Sequence, residues 1–195
     1  MQAQAGSRDS YAAMEARSDV LPDPLGQREA EFIAARDSLY MASVTADGWP
    51  YVQHRGGPAG FLRQLGANRI GFADFRGNRQ YMSAGNVAEE DRVALILVDY
   101  PARRRLKLIG HASRIAVSED PETVLALMPE GYSAIPEGAF VINVVAFDWN
   151  CPQHITPRFT EREIEQAVRP LHERLAQLEA ENRALQNRLA KMGDA

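Results

Sequence analysis

The residues best suited to chemistry lie between positions 76 and 86, directly after a predicted strand over residues 69–74. Gly77 can take a positive φ in the turn, and Arg79 carries a fork of hydrogen-bond donors just beyond it. Ser83 adds a hydroxyl group about one helical turn later. These residue types at this spacing can hold a phosphate monoester. The alternative is an ordinary strand-to-helix connection with a surface arginine.

A short helix is expected to position these groups. Asn78 is its predicted N-cap, and the helix continues to Ala84, with Gly85 as its C-cap. The start of a helix presents free backbone N–H groups and the positive end of the helix dipole. Both features favour an anion at this point of the chain.

Two further segments carry residues that could contact a planar ligand. The predicted strand over residues 51–57 ends in Gly56-Gly57, which would let such a ligand approach the backbone or would mark a bulge without one. The predicted loop over residues 148–157 offers Trp149 as an aromatic plane, and Asn150 and Gln153 as amide groups. Trp149 could instead fill one end of the core.

Three cations alternate along the longest predicted strand, over residues 103–117, so that Arg103, Arg105 and Lys107 share one face. Such a face could be a nucleic-acid groove, a solvated surface or an anion pocket. The net charge of −4 and the absence of aromatic neighbours argue against nucleic acid. We expect an anion there, because like charges on adjacent rungs repel unless something negative lies between them.

Acid–base and metal chemistry have less support in the residue pattern. No nucleophile–base pair is visible, and the single cysteine, Cys151, is expected to be inert packing. The four histidines lack the spacing of metal ligands, so no metal site is expected. No catalytic residue is therefore assigned.

Strands outnumber helices among the elements that must position these groups, which is typical of a mainly β (α+β) domain. Residues 61–65 are predicted to form a helical or irregular link, and residues 92–100 a strand buried on both faces. Ser118 is the expected N-cap of the helix predicted over residues 119–128. Strands are predicted over residues 39–45, 51–57, 69–74, 92–100, 103–117 and 139–147, and helices over residues 27–37 and 119–128.

The last segment, residues 161–195, is predicted to be one long helix with a heptad repeat. A single asparagine at an a position favours a parallel two-stranded coiled coil, because two asparagines can meet across its axis. The alternative is one amphipathic helix lying on the domain. The a positions are Leu175, Asn182 and Leu189, and the d positions are Leu171, Leu178, Leu185 and Met192.

The composition suits one globular domain with appendages: 195 residues, of which 45% are hydrophobic and 25% charged. Residues 1–24 lack a sustained apolar period and are expected to form a flexible arm before a domain over residues 25–160. No apolar run of membrane-spanning length and no signal peptide is visible. We therefore expect a cytoplasmic protein with no membrane partner.

Several separated motifs, in the right order, resemble the FMN-binding split-barrel family of pyridoxamine 5'-phosphate oxidase-like proteins. The resemblance runs from about residue 27 to residue 159, and its motifs are Gly77-Asn78-Arg79-Gln80-Tyr81 and residues 51–57, 103–110 and 148–155. It implies a six-stranded split β-barrel with flanking helices, a homodimer, and FMN bound at the subunit interface.

The resemblance also implies which residues hold the cofactor, some from each subunit. Arg79 is the expected main contact of the phosphate. The implied residues are Gln53, His54, Arg55, Phe72 and Ala73 beside the flavin, Asn78, Arg79, Gln80, Ser83 and Asn86 around the phosphate, and Arg105, Trp149 and Gln153 from the second subunit.

The sequence departs from true pyridoxamine phosphate oxidases at Pro58, where that group has a basic residue, and in its ending after Asn150. The resemblance therefore implies FMN binding more than it implies that reaction. One expected function is an FMN-dependent oxidoreductase that acts on a small molecule or takes electrons from a reduced nicotinamide. The other is a flavin-binding carrier, sensor or scaffold without turnover.

Overall fold

The computed structural model of the protein describes residues 24–77, 79–149 and 153–193. Across these residues no helix combines the length and the apolar character that crossing a membrane requires. The elements are α1 (Gln27–Ala34), β1 (Ser38–Val44), β2 (Pro50–Gly56), β3 (Leu62–Gly66), β4 (Arg69–Phe75), α2 (Met82–Glu89), β5 (Arg92–Asp99), β6 (Arg104–Ala116), α3 (Pro121–Ala126), β7 (Pro136–Trp149) and α4 (Glu161–Gly193).

The described residues divide into two compact units. One contains the described residues up to Asp99 together with those of Arg103–Ile155, and the other contains Tyr100–Ala102 and the residues from Thr156 onward. The first unit holds the sheet and helices α1 to α3, and the second holds α4. The predicted N-terminal arm, residues 1–24, lies outside the described residues except for its last position.

Seven strands form one antiparallel sheet in the order β2-β1-β5-β6-β7-β4-β3. The predicted mainly β (α+β) class is confirmed, but the sheet has seven strands where six were expected. The additional strand is β3, and the prediction of a helical or irregular link for this segment is wrong. Polar residues hid the strand: the side chains of Arg63 and Gln64 donate to the backbone oxygens of Met128 and Leu25, while the backbone pairs with β4.

The main core lies on one face of the sheet. In β5 the side chains of Val93, Leu95 and Leu97 are buried, whereas Ala94 between them is exposed. The prediction that this strand is buried on both faces is therefore wrong, because the apolar residues of its outer face stay at least partly exposed. Phe72 and Phe140 stack within this core, with ring centroids 5.3 Å apart.

A second, smaller cluster lies between α3 and the sheet, where Val124 and Leu127 pack on Ala73 and Ala139. Helix α3 is shorter than predicted, and its N-cap is Asp120 rather than Ser118. The Asp120 carboxylate accepts a hydrogen bond of 2.9 Å from the backbone N–H of Thr123, which satisfies a free donor of the first turn.

Helix α2 begins later than predicted. It starts at Met82 with Tyr81 as N-cap, because Arg79 and Tyr81 both have left-handed φ values, of 59° and 50°, that no helix contains. Its C-cap is Glu90, so Gly85 lies inside the helix and not at its end. The predicted N-cap, Asn78, lies outside the described residues.

The Gly56-Gly57 pair is explained by contacts within the chain. A Cβ atom on Gly57 would lie 2.8 Å from the Cβ of Phe61, and one on Gly56 would lie 3.1 Å from the backbone oxygen of Asp37. The register between β1 and β2 has no bulge at this point. The two glycines therefore leave room for Phe61 and for the backbone of Asp37 at the end of β2.

Two glycine substitutions should have opposite effects on stability. Gly138→Ala is expected to lower the free energy of unfolding by about 1–3 kcal/mol, because the new Cβ would overlap the backbone oxygen of Ile115. Gly85→Ala is expected to raise it by about 0.5–1 kcal/mol, because Gly85 is helical and the added Cβ meets open space. Urea unfolding measures both. A destabilising Gly85→Ala would contradict a helix that runs from Met82 to Glu89.

Candidate functional site

Strands β2 and β4 approach each other although four strands separate them in the sheet order. Asp74 at the end of β4 accepts a hydrogen bond of 3.3 Å from Nη1 of Arg55 on β2 and one of 2.8 Å from Nε of Arg114 on β6. The sheet therefore curls until its two ends are linked by side chains, without a ladder of backbone hydrogen bonds. The candidate site lies at this junction.

Arg55 is the most desolvated cation of the junction. Burial lowers the pKa of its guanidinium, and the neighbouring Asp74 carboxylate partly offsets that effect. The Nε atom of Arg55 is buried and finds no hydrogen-bond partner among the described residues. A buried donor without a partner is costly, and one beside a cavity is an observation that a ligand would explain.

Two cavities meet at the junction and share the side chains of Tyr81, Ala84 and Glu137. The first has a volume of about 100 Å³ and is lined by Gln53, Arg55, Asp74, Phe75, Gly77, Arg79, Gln80, Tyr81, Ala84 and Glu137. The second, of about 630 Å³, adds Arg76 and Arg114. Among these described lining residues, four arginines face two carboxylates, which leaves a net positive charge that suits an anion.

The turn before α2 forms one wall of the smaller cavity. Arg79 and Tyr81 both adopt left-handed backbone conformations, which cost energy for residues other than glycine. Such conformations persist only where surrounding contacts fix them, and they occur often at ligand sites. The predicted phosphate turn therefore has a strained backbone, and the Arg79 side chain is exposed at the cavity.

Glu137 on β7 holds this turn from the opposite side. Its carboxylate accepts hydrogen bonds of 2.9 Å from Nε of Arg76 and from the hydroxyl of Tyr81. The bonds from Arg76 and then Tyr81 lower the pKa of Glu137, and the bond to Glu137 raises the pKa of Tyr81. The two hydrogen bonds to the ionised Glu137 carboxylate are therefore fully present above the ordinary carboxyl pKa. They are lost only as the pH falls through the lowered pKa of Glu137.

Ser83 and Asn86 attach α2 to the sheet. The hydroxyl of fully buried Ser83 donates to Oε1 of Gln53 at 2.7 Å, and Nδ2 of Asn86 donates to the hydroxyl of Ser43 at 2.9 Å. Both side chains, which were predicted to contact the phosphate, are therefore hydrogen-bonded to residues of β2 and β1. Neither residue lines the two cavities. Their observed role is to fix the helix and the amide of Gln53.

The predicted flavin-facing residues divide between opposite faces of their strands. Gln53 and Arg55 face the cavity, whereas His54 faces outward against Tyr40, with ring centroids 5.4 Å apart. Phe72 is buried in the main core, and Ala73 is buried under α3. The strand period of two explains this division.

The residues predicted to come from the second subunit lie away from these cavities. Trp149 ends β7, where its indole N–H donates to Glu29 at 2.8 Å and its ring meets Phe32 edge-on. Arg105 lies in β6 opposite Val98, and Gln153 is exposed in the turn after the undescribed residues 150–152. Cys151, predicted to be inert, also lies outside the described residues.

The predicted row of three cations is not formed, because Arg103 lies in the turn before β6 with a left-handed φ of 53°. Lys107 instead pairs with Asp148 on the neighbouring strand at 2.7 Å. The anion pocket expected on that face is therefore not assembled by these three residues.

Several residues of the junction carry no local signal in the sequence. Asp74 was predicted only as the end of a strand, and Arg114 and Glu137 were not singled out, although all three contact one another or the cavities. Their partners lie 19 to 61 residues away along the chain. Only the strand register brings them together.

Comparison with known proteins assigns the class of the molecule. The family model described as pyridoxamine 5'-phosphate oxidase matches residues 25–148, which is more than half of the chain. The protein belongs to this family. No curated protein matches its sequence.

Solved structures are similar to this chain at low sequence identity, and HupZ shows the same fold. HupZ of Group A Streptococcus is 14% identical, with a TM-score of 0.53 over 69% of this chain and 98% of that one. A protein related to general stress protein 26 from Clostridium acetobutylicum is 11% identical, with a TM-score of 0.47 over 70% and 94%. An FMN-binding protein from Syntrophomonas wolfei is 11% identical, with a TM-score of 0.46 over 76% and 97%.

Removing the charge of Asp74 should destabilise the protein strongly. Asp74→Asn leaves two largely buried guanidinium groups without their carboxylate, so we expect a loss of about 2–4 kcal/mol in unfolding free energy, between the values for exposed and fully buried pairs. Glu90→Gln is the matched control, because its pair with Arg92 is exposed and its loss should change the unfolding free energy far less. Equal losses in urea unfolding would contradict a special role for Asp74.

Proposed function

We propose that the protein binds FMN, with its phosphate in the smaller cavity beside Arg79, and acts as an FMN-dependent oxidoreductase on a small molecule. The observation that carries the proposal is the pair of adjoining cavities behind the strained turn at Arg79 and Tyr81, whose combined lining has a net positive charge. Family membership supports a flavin as the ligand. The Arg79 guanidinium at the cavity fits a phosphate, because arginine is one of the usual partners of that group.

The size of this cavity supports a homodimer with FMN at the subunit interface. A volume of about 100 Å³ is enough for a phosphate group but is well below the roughly 300–1,000 Å³ of pockets that enclose a whole drug-sized ligand. The ring system must therefore extend beyond the smaller cavity, and the adjoining cavity of about 630 Å³ has room for part of it. A second subunit is the proposed cover for it.

The residues of this chain would orient the cofactor. Arg55 supplies a buried donor, and the bond from Ser83 fixes the amide of Gln53 beside it. Bound FMN would supply two-electron transfer between a reduced nicotinamide or small organic donor and an acceptor. The protein contributes position and charge, with Arg79 holding the phosphate tail.

Arg79 should distinguish FMN from riboflavin, which lacks the phosphate. Arg79→Ala is expected to weaken FMN binding by about 1.5–3 kcal/mol, or roughly 10–150-fold in Kd, because a charge-assisted bond is lost. Riboflavin binding should not change. Arg92→Ala is the control, because Arg92 lies outside both cavities. Flavin fluorescence titration gives the Kd of both flavins for the wild type and the two variants, and an unchanged FMN Kd for Arg79→Ala would refute this placement.

The second candidate is a flavin-binding protein without turnover. It is favoured by the two carboxylates of the smaller cavity, Asp74 and Glu137, which are both engaged by arginines and so are poorly suited to act as bases. Flavin-loaded protein should be mixed with NADH or NADPH without air. Bleaching that reverses in air supports the oxidoreductase, and persistent absorbance supports the carrier or sensor.

A further inference from the structure

Helix α4 carries a stripe of apolar side chains that are exposed in a single copy of the chain. They are Ile164, Leu171, Leu175, Leu178, Leu185, Leu189 and Met192. Leu171 and Leu189 are each 69% exposed, and Met192 is 76% exposed. The stripe extends toward the start of the helix through Ile164, one heptad before Leu171. Single exposed leucines are common on protein surfaces, but a row that repeats at heptad spacing along 33 residues indicates a missing partner.

The helix is well formed along its whole length. Thr160 and Glu163 form a capping box at its start, with the Thr160 N–H donating to the Glu163 carboxylate at 2.7 Å. The helix continues through Pro170, which occupies a c position of the heptad and therefore lies away from the stripe. Helix α4 also lies beyond residues 25–148, so the family fold does not account for it.

We propose that α4 pairs with α4 of a second copy of this chain in a parallel, two-stranded coiled coil that is in register at Asn182. The asparagine interrupts the stripe at an a position, where two copies can hydrogen-bond across the axis only if the helices are parallel and in register. In that register Arg174 at a g position faces the partner subunit's Glu179 at an e position, which adds opposite charges at the rim.

Other arrangements of the same helix would bury the Asn182 amide without hydrogen-bond partners. In an antiparallel pair an a position packs against a d position, so the amide would face a leucine or isoleucine without a partner for its hydrogen bonds. A helix covered by an unrelated apolar surface would meet the same penalty. The polar residue in the middle of the stripe thus selects a second copy as the occupant.

Cysteine crosslinking in the full-length chain tests the pairing. The chain offers a matched pair of sites, since Asn182 lies in the stripe and Asn187, five residues on, lies at an f position on the outer face. With Cys151→Ser as background, Asn182→Cys should form an intermolecular disulfide in air, and Asn187→Cys should remain monomeric on a non-reducing gel. Equal crosslinking at both sites, or none at Asn182→Cys, would overturn the proposal.

A second variant controls for chance collisions. Adding Leu185→Asp to Asn182→Cys places a charge in the stripe and should abolish the crosslink, whereas Ala184→Asp on the neighbouring outer position should leave it intact. A crosslink that survives Leu185→Asp would also overturn the pairing. Flavin content of the same samples is read separately: flavin-free protein that crosslinks as expected would count against FMN binding and not against the coiled coil.

Discussion

The structure depends on the carboxylate of Asp74, which joins two parts of the sheet that share no backbone hydrogen bonds. Four strands lie between β2 and β4 in the sheet order, yet Arg55 and Arg114 both bond to the Asp74 side chain. Because ion pairs and not a ladder make the contact, the sheet stays open there and leaves a cavity lined by charge. The same interaction therefore determines both the curl of the sheet and the location of the candidate site.

A strained turn beside such a junction needs support on both sides. Glu137 holds Arg76 and Tyr81 from one side, and Ser83 and Asn86 anchor the following helix from the other. These contacts come from three different strands and α2, so they can maintain left-handed residues that isolated peptides would avoid. A donor array held in this way is preorganised, and its binding energy is not spent on ordering the loop.

Local pattern was enough to find the β1–β2 hairpin and strand β4, because alternation and glycine chemistry are short-range signals. It failed at β3, where Arg63 and Gln64 look like loop residues until their long-range partners are known. It also started α2 too early, because no propensity predicts a left-handed Tyr81. Asp74 and Arg114 could not be found, since their pairing depends on the register of distant strands.

The limited size of the smaller cavity, which we propose as the phosphate site, gives the proposed helix pairing a functional consequence. A ligand that one chain encloses only in part is held more tightly when a second chain covers it, so its affinity would depend on protein concentration. A coiled coil through α4 makes the encounter of the two chains intramolecular, with an effective concentration in the millimolar range for a short connection. Such pairing would keep a shared site assembled at cellular dilution without adding a contact to the ligand. Selection could then act on α4 independently of the residues that line the cavity.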